Sequence, residues 1–269
     1  MKSFQRIALL LLAAAAVVCA APARAADLSG DEIVQRSLES FYYAGNSMRA
    51  RVSMKLINRQ GSVREREMTI LRLNLGKSGG DQRYYIYFHG PADVRGTSFL
   101  IWKYPARDDD RWIYVPTLNL VKRISADDKR SSFVGSDFTY EDLSSRDLED
   151  EIHALVRQED FDGRPAYVVE SKPKVQSGYS RRVSWIDRER WLPLKEEYFD
   201  ARNEPLRTYI ADKVERIGGQ WAVTVRTMKN LQSGHRTEVV FRETEYGVDI
   251  KQDIFTERYL RDAPSKWVR

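Results

Sequence analysis

The sequence predicts a mainly β protein, with some α, built on one strongly curved antiparallel sheet whose few helices lie in its concave side. Three observations lead there. Apolar and polar residues alternate with period two along many short runs, turn signals rich in Gly, Pro, Asn and Asp separate those runs, and helical periodicity is confined to three places. Strands that follow one another through short turns form a meander, whereas a parallel α/β sheet would need helical crossovers between them. A long antiparallel sheet with few helices must curl to cover its own apolar face.

The chain opens with Lys2 and Arg6, an apolar run from Ile7 to Ala16 that continues through Val17 and Val18, and the triplet Ala23-Arg24-Ala25. A charged start, a short apolar centre and a small-residue triplet are the parts of a cleaved export signal. The run falls short of the roughly 20 apolar residues a spanning helix needs. Residues 1–25 are therefore expected to be a removed signal peptide, and residues 26–269 a single domain released soluble into the periplasm. Cys19 offers an alternative, because a cysteine near the end of a leader can be lipidated and tether the chain. Val18 is branched where such a leader wants a small residue, so cleavage after Ala25 is preferred.

Cys19 is the sequence's one cysteine, so the mature chain has none. Disulfides, thiolate nucleophiles and zinc–cysteine sites are thereby excluded. Losing Lys2, Arg6 and Arg24 with the leader reduces 44 Lys and Arg to 41, against 39 Asp and Glu, so the net charge falls from +5 to +2. The basic balance of the full chain is then no argument for a nucleic-acid partner.

Ser29 and Glu32 have the spacing at which each side chain reaches the other's backbone N–H, and Ile33, Val34, Leu38 and Phe41 follow at helical spacing. This predicts an amphipathic helix over 30–42. From Ser47 the period changes to two: Met48, Ala50, Val52, Met54 and Leu56 alternate with Arg49, Arg51, Ser53 and Lys55, as a strand with one wet face requires. A turn at 59–62 leads to a second extended run ending at Asn74, and a turn at 76–80 follows. Further strands are expected at 83–88, 97–103, 111–115 and 118–124. Downstream, Asp162-Gly163, Asn203-Glu204, Gly218-Gly219 and Ser233-Gly234 punctuate runs such as 166–170, 182–186 and 194–198. Short helices are expected near 140–148 and 254–260, giving ten or eleven strands and three helices in all.

His89, His153 and His235 lie far apart, and none has a second histidine at ligand spacing, so no metal site is expected. Asp108-Asp109-Asp110 and Asp127-Asp128 lack the alternating spacing and turn glycine of a calcium loop and read as solvated hairpin tips. There is no nucleophile elbow, phosphate-cradling loop or dinucleotide fingerprint. The acids Glu141, Asp142, Asp147, Glu149 and Asp150 could supply a catalytic carboxylate pair, but they read as the start and solvated face of a helix, where acids suit the dipole. No enzymatic role and no cofactor are expected.

The most distinctive segment runs from Phe88 to Tyr140: Phe88-His89-Gly90-Pro91 through Gly96-Thr97-Ser98-Phe99-Leu100, then Arg111-Trp112-Ile113-Tyr114-Val115-Pro116, Lys122-Arg123-Ile124 and Ser131-Ser132-Phe133-Val134-Gly135-Ser136-Asp137-Phe138-Thr139-Tyr140. With Tyr179-Ser180-Arg181, Trp185-Ile186-Asp187 and Pro193-Leu194-Lys195, it resembles the LolA-like outer-membrane lipoprotein-sorting proteins, in particular the longer subgroup found beside RND-type exporters. The resemblance implies a half-open β-barrel with a helical lid and a hydrophobic cavity for acyl chains. Its partners would be lipid or lipoprotein acyl chains and an inner-membrane transporter of RND type, and the chain would act as a monomer.

Each methylene withdrawn from water is worth about 0.8 kcal/mol, so a lipid needs an apolar container to cross an aqueous gap. Met48, Val52, Met54 and Leu56, with Ile86, Phe88, Phe99 and Ile101, are the candidate cavity lining, or else plain core. Methionine suits a variable ligand because it is unbranched. Phe133, Val134, Phe138 and Tyr140 sit in a Ser/Gly-rich loop, where a flap over the cavity mouth or packing at a sheet edge would explain them. Arg95, Lys122 and Arg123 could meet lipid headgroups or a membrane surface, or be solvated strand faces. The rival function is an accessory subunit of an exporter that carries no lipid.

Overall fold

The computed structural model describes residues 28–269 except 77, 78, 106 and 176; the expected leader and Cys19 lie outside the described residues. A helix, Gly30–Tyr42 (α1), precedes the first block of strands: Ser47–Ile57 (β1), Val63–Asn74 (β2), Gln82–Gly90 (β3), Ser98–Lys103 (β4), Asp110–Val115 (β5) and Leu120–Ile124 (β6). A segment with a one-turn helix, Glu141–Ser144 (α2), leads to the second block. That block is Glu151–Phe161 (β7), Arg164–Pro173 (β8), Arg181–Asp187 (β9), Pro193–Phe199 (β10), Pro205–Ile217 (β11), Gln220–Asn230 (β12) and Arg236–Tyr246 (β13). The chain closes with Arg258–Arg261 (α3) and Ser265–Val268 (α4).

All strands join one antiparallel sheet in the order β6-β5-β4-β3-β2-β1-β13-β12-β11-β10-β9-β8-β7, a curved, open architecture. Each block is a meander, and β1 pairs with β13 to weld the two, with Val52 opposite Phe241 and Met54 opposite Val239. Two of the hairpins close on two residues. Asp162 and Gly163 have φ of 51° and 72°, and Gly218 and Gly219 have φ of 54° and 85°, the left-handed pairs that match the twist of the flanking strands. Register shifts interrupt the pairing at 49/51, 67/68, 155/157, 193/195, 198/199 and 211/213/214, and bulges of this kind bend the strands that carry them.

The two faces differ. Met48, Ala50, Val52, Met54 and Leu56 lie on the concave face with Met68, Ile86, Phe88 and Phe99, all buried. On the opposite face Leu71, Tyr85, Leu100 and Trp112 are covered by the C-terminal segment through Ile254, Phe255, Leu260 and Val268. That segment is pinned by the Tyr85 hydroxyl donating to the Tyr259 carbonyl at 2.7 Å and Trp102 Nε1 donating to the Phe255 carbonyl at 2.8 Å. The helix expected near 254–260 is thus two short turns on the outer face, while α1 and α2 lie on the concave side. No helix among the described residues is long and apolar enough to cross a membrane.

Because β6 and β7 are the two edges of the sheet, the chain between them, residues 125–150, has to span its open side. This strap is fastened at both ends. On one side Lys103 Nζ meets Asp147 at 2.9 Å and the Ser144 hydroxyl meets Asp109 at 2.9 Å; on the other Arg207 donates to Asp142 at 2.9 Å and the Thr237 hydroxyl to Asp137 at 2.7 Å.

Candidate functional site

Helix α1 is seated on the second block. Its start carries the reciprocal Ser29–Glu32 cap, with Glu32 N–H donating to Ser29 Oγ at 3.2 Å and Ser29 N–H to the Glu32 carboxylate at 2.8 Å. Ile33 and Val34 pack on Val169 and Ile186, and Gly30 lies so close to the backbone of His153 that a Cβ would stand 2.6 Å from its carbonyl. The helix has no basic residue in its last turn. Arg72, from β2, takes that place: it donates to the carbonyl oxygens of Tyr42, Ala44 and Gly45, satisfying acceptors that a helix end leaves open. Burial holds the Arg72 guanidinium below its ordinary pKa.

Two cavities lie between α1 and the concave face and share Phe41, Tyr42, Asp142 and Arg226. The first, about 720 Å³ counted to its open mouth, reaches toward β9 and β10 and is lined by Leu38, Phe138, Ile186 and Met228 together with charged groups. The second, about 740 Å³ counted likewise, reaches toward β1–β3 and is lined by Met48, Ile70, Ile86, Leu143 and Phe241.

Apart from Arg226, the charged groups on the first cavity are tied into ion pairs, most of them in one network. Arg182 bridges Glu151 and Glu196 at 2.6 Å each, Arg146 holds Asp142 at 2.6 Å and Glu141 at 3.1 Å, and Arg207 joins Asp142. The Tyr179 and Tyr198 hydroxyls donate to Glu151 and Glu196, both at 2.6 Å. Burial pushes the Glu151 carboxyl up, but Arg182, Arg146 and the Tyr179 bond outweigh it and hold the group at about 2. Asp142 is likewise buried and likewise held well below the usual carboxylate range, by Arg207, Arg146 and Thr139. Asp147 goes the other way, raised by burial against the opposing pull of Lys103.

Of the expected lining residues, Met48 and Ile86 line the second cavity. Val52, Met54, Leu56, Phe88 and Phe99 share their face but belong to a close-packed cluster, and Ile101, buried one strand position pair beyond Phe99, lines neither cavity. The cluster is filled by the strap: the Phe133 ring lies 6.0 Å from Phe88, 5.1 Å from Phe99 and 5.8 Å from Tyr140, and Val134 packs beside it. Phe138 lines the first cavity. Arg95, Lys122 and Arg123 are exposed and line neither cavity. Lys122 and Arg123 occupy opposite faces of β6, and Arg123 pairs with Asp110.

Several sequence expectations need correction. Glu141 and Asp142 do not lie on a solvated helix face but are buried, because the helix is only one turn long and Arg146, just beyond it, and Arg207, from β11, close on it. Asp109 and Asp110 are buried rather than solvated, Asp109 by Arg111 at 2.6 Å and the Ser144 hydroxyl, Asp110 by Arg107 and Arg123. A cleft does stand beside Asp142 and Asp147, although each of them is held in an ion pair there. The histidines are each tied to a neighbour: His89 to Thr69 at 2.8 Å, His153 to Ser171 at 2.8 Å and His235 to Asp137 at 2.6 Å. The arginines of the site were missed. Their signal was phase: Arg72 continues the apolar phase of Met68 and Ile70, and Arg226 that of Met228.

A protein-family model, described as an uncharacterized-protein-like family, matches residues 80–262. The structure is similar to that of a domain from Vibrio parahaemolyticus provisionally named an outer membrane lipoprotein-sorting protein, at 31% identity and a TM-score of 0.79, over 86% of this chain and 98% of that one. A DUF1329 family protein from Desulfovibrio piger is 30% identical, with a TM-score of 0.78 over 86% of this chain and 97% of its own. A LolA superfamily protein from Nitrosomonas europaea, 20% identical, shares the fold at a TM-score of 0.67 over 86% and 99% of the two chains. The sequence has no match among curated proteins.

Proposed function

The chain belongs to the DUF1329 family and has the LolA-like fold, and from that premise we propose that it is a periplasmic, non-enzymatic carrier of lipid or lipoprotein acyl chains. It receives them from an inner-membrane transporter, of RND type, and passes them toward the outer membrane. The observation that carries this reading is the pair of cavities beneath α1, the second of them walled by Met48, Ile70, Ile86 and Phe241. Such a surface offers an alkyl chain about 0.8 kcal/mol per buried methylene and, in Met48, a side chain that adapts its shape.

The remaining predicted lining residues enter this reading through the strap. Phe133 fills the space against Phe88 and Phe99 in the cluster that also holds Val52, Met54 and Leu56, so lifting residues 131–140 would open that apolar face, and Ile101 two residues beyond Phe99 on β4, to cargo. Phe133, Val134, Phe138 and Tyr140 then act as a stopper that the cargo replaces. The hairpin tip between β5 and β6 suits docking on a membrane surface: Leu118 and Leu120 are exposed, Lys122 and Arg123 follow, and Arg261 donates to the Asn119 carbonyl at 2.8 Å. Arg95 belongs to the adjoining turn, where Gly96 lies against Pro116.

Native extraction of the purified protein followed by lipid mass spectrometry tests the reading. Co-purified acyl lipid, lost in the variants Met48→Trp and Ile86→Trp, is the expected result. A protein that neither retains lipid nor exchanges added lipid is not a carrier, and retention of transporter binding by those filled-cavity variants would then point to an accessory subunit.

A further inference from the structure

Two arginines beneath α1 stand outside the ion network. Arg72 and Arg226 both line the second cavity, and among the described residues neither pairs with a carboxylate. Arg72 is held by three backbone carbonyls at the end of α1, whose partial negative charge offsets the cation only in part. Arg226 sits over the rings of Phe41, Phe138 and Phe241 at 5.5, 5.6 and 4.6 Å, which also attract the charge without cancelling it. The Nε atoms of both residues, and Oγ1 of Thr244 on the same wall, are buried with no hydrogen-bond partner. The Nε atoms of Arg66, Arg111, Arg146 and Arg182 are open in the same way, so what sets this wall apart is that its two guanidiniums meet no carboxylate among the described residues while the Thr244 hydroxyl beside them is also free to bond.

The charge balance gives the sign. In the network Arg146, Arg182 and Arg207 face four carboxylates, which leaves one negative charge over; Arg72 and Arg226 turn that into one positive charge over. Tyr246, on the same wall, reports both cations: burial raises its phenol above the ordinary value while Arg72 and Arg226 each draw it back. An unbalanced charge in apolar surroundings is unfavourable until a counter-charge joins it.

We propose that this cavity selects amphiphiles with one anionic head, a carboxylate or a phosphate, seated between Arg226 and Arg72 with the Thr244 hydroxyl as a further donor. The alkyl chain lies along Met48, Ile70, Ile86 and Phe241. This rests on the carrier reading and narrows its cargo.

Calorimetric titration of the full mature protein with four dodecyl compounds, dodecanoate, dodecyl phosphate, dodecanol and dodecyltrimethylammonium, tests it. Both anions, or one of them, bind at least about tenfold more tightly than dodecanol, and the cation binds least; which anion leads tells a fatty acid from a lipid phosphate. Arg226→Gln loses about tenfold for the anions and nothing for dodecanol, whereas Arg226→Lys keeps the preference. Equal affinity for anions and dodecanol overturns the anion site and leaves the carrier reading standing; failure of all four to bind overturns both. An undiminished preference in Arg226→Gln removes Arg226 from the site. The comparison within the unaltered protein decides the matter even where a variant does not fold.

Discussion

Glu151 gives the network an energy that can be measured. It opens β7, where its carboxylate accepts from Arg182 and from the Tyr179 hydroxyl at 2.6 Å each. Its pKa stands at about 2 against an ordinary 4.5. At 1.36 kcal/mol per pH unit, the ionised carboxylate contributes about 3 kcal/mol to the folded state. The folded pKa is the depressed one, so this contribution is complete above pH 4.5 and is lost as the pH falls toward 2. Glu151→Gln keeps the shape and removes the charge. At pH 7 it should destabilise the protein by about 3 kcal/mol, or lower Tm by about 6–12 °C for a chain of this size. The deficit should shrink below pH 4.5 and close near pH 2. Urea unfolding followed by tryptophan fluorescence at a series of pH values reads both features. A variant as stable as the parent at pH 7, or one whose deficit is the same at every pH, would refute the argument that Glu151 is held ionised by Arg182 and Arg146.

Gly30→Ala sets two principles against each other: helix propensity favours alanine, by less at this first helical position than the ~1 kcal/mol of a helix interior, yet its Cβ would meet the His153 backbone at 2.6 Å. Overpacking of this kind should win, with a net loss of about 1–3 kcal/mol in denaturant unfolding; a stabilised variant would mean that α1 does not sit on β7. Phe133→Ala should cost about 3–5 kcal/mol, because the ring is fully buried among Phe88, Phe99 and Tyr140, and an unchanged midpoint would show that the strap does not pack as described. Leu260→Ala should cost about 2–5 kcal/mol and raise binding of an apolar dye as Tyr85, Leu100 and Trp112 become uncovered; no change in either would remove the C-terminal segment from the outer face.

How far the sequence could be read depended on where each residue's partner lay. The strand from Met48 to Leu56 was legible because both of its faces obey one rule, apolar inward and polar outward, and the Asp162-Gly163 turn because its geometry is local. Strand β7 was not: as a sheet edge it carries His153, Arg157, Gln158, Glu159 and Asp160 and shows no clean alternation. The acids at 141 and 142 read as solvated because nothing nearby in sequence announces Arg207, which buries Asp142 from β11. The same residues suggest how the site could have been found. An arginine in the apolar phase of a strand cannot reach water by alternation, so it must bring a partner inward or wait for one. Arg182, in phase with Ser184 and Ile186, brings Glu151 and Glu196. Arg226, in phase with Met228, brings ring faces and the Tyr209 hydroxyl but no carboxylate among the described residues, so its charge is left for a ligand to meet.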